Sequence, residues 1–225
     1  MTSRIPNALT KYLARIVFHK IKNHRYRRSE LKTGKAVINV IDYHTELALN
    51  INLKTKQLPS SESINSDGAY LLTEKRIGID IYSRELPILP EHYEDLYHEV
   101  REIVRHEIEH HIQCIYQPLQ YAFDYTRRSD QYISNQEWEA ALEVYAMAPA
   151  EIEANANTFY LIAKKTRTPI NQILKREKEE SIDYAVRMTR GGLPKERAVD
   201  IYNEWEIVIK QYLRSRYPRT AKHCQ

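Results

Sequence analysis

The chain has 225 residues, 42% of them apolar and 28% charged, with a formal net charge of +4. Such a chain can bury a core without disulfide or metal staples. Its two cysteines, Cys114 and Cys224, exclude a disulfide framework and suit a reducing, cytoplasmic setting. No apolar run approaches the ~20 residues of a membrane span. The N-terminus is broken by Lys and Arg every few residues, so no secretory segment is expected. The five glycines form neither a dinucleotide-binding nor a P-loop motif, which excludes those phosphate cradles.

Charge is unevenly spread. Residues 1–36 hold ten Lys or Arg (Arg4, Lys11, Arg15, Lys20, Lys22, Arg25, Arg27, Arg28, Lys32, Lys35) against one acid, Glu30. A basic segment on a mildly acidic body predicts a polyanion contact or a docking arm. Arg25, Arg27 and Arg28 around Tyr26 add one ring that could stack on a base. A solvated helix face followed by a polar loop is the plainer reading.

Apolar spacing at Leu9, Leu13, Ile16, Val17 and Ile21 predicts a basic amphipathic helix over 7–23, followed by a polar connector. Three alternating segments predict strands at 36–43, 46–54 and 76–82. The stretch 57–70 between them reads as a loop. Residues 91–116 read as one long helix with a stripe at Leu96, Val100, Ile103, Val104 and Ile108. Ser134 to Glu137 resembles a capping box opening a helix to about 147. Pro149 opens a helix to about 165. Thr168-Pro169 starts another that stops near Gly191-Gly192, and Pro194 starts the last, ending before Pro218. The expected fold is α+β, with a small N-terminal sheet packed on a long helix and a mostly helical C-terminal half. The expected divisions are a basic arm over 1–35, a core over 36–165 and a helical hairpin over 166–225.

The long helix contains His106-Glu107-Ile108-Glu109-His110. Residues i and i+4 share a helix face, so two imidazoles at this spacing can hold one Zn²⁺. The intervening Glu107 is placed to take a proton from a metal-bound water and deliver it to a leaving amine. A His-rich solvated face is the bland alternative, and His111 reads as a supporting or surface residue. A third ligand should come from another helix, and two glutamates of the 149–165 segment compete. Glu153 has small Ala156 and polar Asn157 beside it, and Asn157 could orient a ligating histidine. Glu151 lies in the first turn, where an acid complements the helix dipole.

The HExxH motif, followed some forty residues on by Glu153-Ala-Asn-Ala156-Asn157-Thr-Phe159, resembles the glutamate-zincin metallopeptidases. It is close to their ImmA/IrrE-like and phage-encoded groups. The resemblance covers roughly 36–165. It implies a zincin-like fold, a protein or peptide substrate, His106, His110 and Glu153 as zinc ligands, and Glu107 as general base. It also implies a bacterial or phage-infected host cell. After Phe159 the sequence departs from the ImmA/IrrE pattern. Tyr121, Tyr125, Tyr132 and Tyr145 are candidate oxyanion donors, and Cys114 reads as an inert buried thiol. The leading expectation is a zinc-dependent peptide hydrolase. The alternatives are a zincin-like binding module without turnover and a basic nucleic-acid-associated protein in which HExxH is incidental.

Overall fold

Strict apolar alternation builds a sheet in the first half of the chain, and helical periodicity fills the second, so the molecule is α+β. The computed structural model describes residues 7–60, 62–71, 74–116, 131–190 and 192–218. The chain divides into two compact units, Met1–Ile112 and Gln113–Gln225. No helix among the described residues is long and apolar enough to cross a membrane.

The first unit opens with helix α1 (Asn7–Lys22) and a short helix α2 (Arg28–Thr33). Strands β1 (Lys35–Asp42), β2 (Leu47–Thr55), β3 (Ile64–Leu71) and β4 (Arg76–Ser83) follow. They form one sheet in the order β1-β2-β4-β3. β1 pairs antiparallel with β2, β2 parallel with β4, and β3 antiparallel with β4. The register aligns apolar rows on one face: Ile38, Ile51 and Ile79 in one, Val40, Leu49 and Ile77 in the next. These side chains are buried with Leu13, Val17 and Ile21 of α1 and with Leu96, Val100, Val104 and Ile108 of a later helix. α1 is therefore part of this core and not a detached arm.

Two elements were not anticipated. The connector after α1 contains α2, which ends at Gly34 with φ of +63°. A Cβ at Gly34 would also stand 2.1 Å from Thr55 Oγ1, so only glycine fits this junction. The stretch read as a loop over 57–70 contains most of β3. Its inward row of Ile64, Ser66, Gly68 and Tyr70 is mostly polar or small, so it lacks the apolar alternation that marks its neighbours.

A single turn at Pro90–His92 leads into helix α3 (Tyr93–Tyr116), which runs on into the second unit. That unit then carries α4 (Trp138–Ala146), α5 (Pro149–Thr166), α6 (Ile170–Met188) and α7 (Lys195–Arg216). Their core joins Ile152, Ala156, Phe159 and Ala163 to Leu174, Trp205 and Ile209. Pro149 occupies the first turn of α5, and Pro169 and Pro194 directly precede α6 and α7. The expected capping box at Ser134 is not formed. Residues 131–134 are already helical, Gln136 turns the chain with φ of +60°, and α4 starts only after Glu137.

Candidate metal and proton-transfer site

α3 is continuous helix through the HExxH motif, so the i, i+4 rule acts directly. His106 Nε2 and His110 Nε2 stand 3.0 Å apart, with ring centroids 4.7 Å apart and planes at 80°. Two nitrogens bound to one zinc at ~2.0–2.1 Å and the tetrahedral angle stand ~3.3 Å apart, so the pair lies close to chelating separation. The same separation allows one imidazole N–H to donate to the other ring when no cation is present.

Glu107 occupies the adjacent stripe of α3 and is buried. Its surroundings come from β3. A Cβ placed on Gly68 would stand 2.9 Å from Glu107 Oε1 and 2.6 Å from Ile103 Cγ1. The backbone of β3 therefore lies close against Ile103 and the Glu107 carboxylate, and glycine is the residue that fits without moving them.

This contact belongs to a longer series between β3 and α3. Ser63 Oγ donates to Asp95, and Ser66 Oγ donates to Glu99 at 2.6 Å. Gly68 lies on Ile103 and Glu107, and Tyr70 Oη meets His111 Nδ1 at 2.9 Å. Successive positions down β3 thus meet successive turns of α3. His111, read from sequence as a supporting or surface residue, is buried. Burial, with a smaller contribution from the Lys75 charge, holds its pKa below the ordinary histidine value, so the ring is neutral at pH 7. On the opposite flank, Arg105 Nη2 donates to Glu109 Oε2 at 3.2 Å, and both groups are buried.

In the second unit, α5 carries both competing glutamates. Glu151 is only 5% exposed. Its negative charge contributes to raising the pKa of Tyr202 to about 12, a shift caused mainly by that phenol's burial. Glu153 is partly buried and engaged at both oxygens. Oε1 accepts from Tyr212 Oη at 2.8 Å, and Oε2 accepts from Gln113 Nε2 at 3.3 Å. Tyr212 is held above the usual phenol range by burial first and by Glu153 second, so it stays a donor. Asn157 Oδ1 accepts from Tyr217 Oη at 2.7 Å, and the Tyr217 ring stacks on Tyr160. Gln113 Nε2 also donates to the Ala150 carbonyl at 3.1 Å, tying the last turns of α3 to the start of α5.

Among the expected residues, His106 and His110 are brought together and Glu107 sits beside them. Glu153 is joined to Tyr212 and Gln113. Tyr145 is exposed and Tyr132 partly buried; Tyr121, Tyr125, Cys224 and the Cys114 side chain lie outside the described residues. Sequence reasoning missed Gly68, Tyr70 and Gln113. Gln113 lies three residues beyond His110 and seven beyond His106, on the same helical stripe, which was a usable signal. Gly68 and Tyr70 offered none once β3 was taken for a loop. No protein-family model, curated protein or solved structure matches this chain.

Proposed function

We propose that the protein is a zinc-dependent peptide hydrolase. The observation that carries this reading is the pair of imidazole nitrogens 3.0 Å apart on α3, with the Glu107 carboxylate one position along. His106 and His110 would supply two ligands, and a carboxylate from α5 the third. Of the two candidates we assign Glu151, the more deeply buried carboxylate; Glu153 accepts from Tyr212 and Gln113. Two histidines and a glutamate are an established catalytic zinc donor set.

When bound, zinc acidifies a coordinated water and polarises a carbonyl. The chain's own residues do the rest. Glu107 takes the proton and returns it to the departing amine, which needs a carboxylate shielded from bulk water. β3 provides that shield through Gly68. Burial of Glu107 also fixes its rotamer, so that the carboxylate need not be ordered during the reaction. A peptide substrate fits the edge strand. Among the described residues β3 pairs only with β4, which leaves its other side for an extended peptide to add as a further strand. The low cysteine count, two in 225 residues, supports a reducing, cytoplasmic setting for this activity.

The test compares full-length parent with Glu107→Gln on a quenched-fluorescence peptide library, with bound zinc quantified in both. The proposal expects Glu107→Gln to retain zinc and lose at least about a hundredfold in hydrolysis. Equal turnover in the two proteins removes the hydrolase. Glu151→Gln should lose zinc while Glu153→Gln keeps it, and the reverse pattern returns the third ligand to Glu153.

A further inference from the structure

We propose that the exposed face of α1, continued through α2 and the start of β1, is a binding surface for the phosphate backbone of a nucleic acid. Nine described cations lie in this segment: Lys11, Arg15, Lys20, Lys22, Arg25, Arg27, Arg28, Lys32 and Lys35. All nine are exposed, and among the described residues none is within ion-pair distance of a carboxylate, Arg27 acting on Glu30 only through its more distant charge. The one acid of the segment, Glu30, is engaged locally. It accepts from the Arg27 backbone N–H at 2.7 Å and meets His24 Nε2 at 3.3 Å.

Exposure alone does not leave cations unpaired in this protein. Along α6 and α7, the exposed Lys175 pairs with Glu179 and the exposed Lys195 with Asp183, and the half-buried Lys178 and Lys210 both pair with Glu206. Arg197 pairs with Glu139 and Asp200. The N-terminal segment gathers nine exposed lysines and arginines around a single acid.

The arrangement selects among polyanions. Lys11, Arg15 and Lys22 follow i, i+4, i+11 spacing and so form one stripe, about 16 Å long at 1.5 Å per residue. That length matches about five phosphates of one strand at 3.4 Å each. A membrane surface is a poorer match, because an interfacial helix must insert its apolar face. Here Leu13, Ala14, Val17 and Ile21 are buried in the sheet core. An acidic protein is also a poorer match, since stable protein interfaces need a cluster of apolar or aromatic anchors and this surface shows Tyr12 and Leu31 only singly among its nine cations. Tyr26 does not act as a stacking platform. It packs against the core, and burial pushes its pKa up to about 12. The contact is therefore to phosphates and independent of base sequence.

The test titrates the full chain against a fluorescent mixed-sequence DNA duplex of about 20 base pairs, between about 50 and 200 mM NaCl. Four to five phosphate contacts predict a slope of log K against log salt near −4, a loss of roughly two hundredfold over that range. Lys11→Glu/Arg15→Glu/Lys22→Glu should weaken binding at least about thirtyfold and flatten the slope by about 3. A control with the same charge change, Lys164→Glu/Lys175→Glu/Lys195→Glu, should stay within about threefold. Circular dichroism of both variants checks that they fold. Absence of binding at the lowest salt, equal losses in both variants, or binding to phosphatidylserine vesicles without binding to the duplex each overturns the proposal.

Discussion

The two outer strands of the sheet are built on opposite principles. β1 alternates without exception, burying Ala36, Ile38, Val40 and Asp42 and exposing the residues between them. Ala36, Ile38 and Val40 meet a hydrophobic core, and Asp42 at the strand's end accepts from Thr45. β3 turns Ser66, Gly68 and Tyr70 inward, and these meet Glu99, Glu107 and His111 of α3. An edge that serves only stability can be written in apolar alternation. An edge that must lie against carboxylates and imidazoles needs hydroxyls and a missing side chain. The lesson is that the strand hardest to recognise is the one that shapes the candidate site.

Substitutions in each edge should therefore fail differently. Ile38→Ala on β1 removes a buried side chain and should cost about 2–5 kcal/mol in urea unfolding while leaving zinc content unchanged. Gly68→Val on β3 drives a side chain into Ile103 and Glu107. It should cost about 1–3 kcal/mol and also abolish hydrolysis by displacing the carboxylate. Its match is Gly78→Ala on β4, where the nearest atom to a new Cβ is the Ala69 carbonyl oxygen at 3.7 Å. That variant should stay within about 0.5 kcal/mol of the parent and keep full activity. If both glycine variants behave alike, the close approach of β3 to Glu107 has no consequence.

Ser66→Ala removes the hydrogen bond to Glu99, and we expect a loss of about 1 kcal/mol, read from the denaturation midpoint at unchanged slope. The smallest effect lies on the outer face of the sheet. Burial alone would raise the Asp80 pKa, but hydrogen bonds from Lys54 and Asn52 and the Lys54 charge outweigh it and hold it below the ordinary value. A lowered carboxylate pKa contributes stability that is present above its unfolded value, ~3.9, and is lost as pH falls through the folded value. The pair is solvent-screened, so Asp80→Asn should shallow the acid limb of the stability profile by no more than about 1 kcal/mol.

Much of the architecture was legible because its physics is local. β1, β2 and β4 announce themselves by period-two apolar residues, and the helices of the second unit by Pro149, Pro169 and Pro194 at their starts. The histidine pair was legible because helical spacing alone brings His106 to His110. What stayed hidden depends on contacts between distant segments. Nothing near Gly68 says that Glu107 will lie against it, and nothing near Glu153 says that Tyr212 will occupy one of its oxygens. The false capping box has a local cause of another kind. Ser134 to Glu137 has suitable residues, but the left-handed turn at Gln136 separates them from α4.

The most direct test is the zinc content of the purified full-length protein beside that of His110→Ala, both after dialysis at neutral pH. If α3 holds a cation between its two imidazoles, the parent carries about one equivalent and the variant close to none. A parent with less than about half an equivalent, or a variant that binds as much as the parent, contradicts the metal centre and the hydrolase that rests on it.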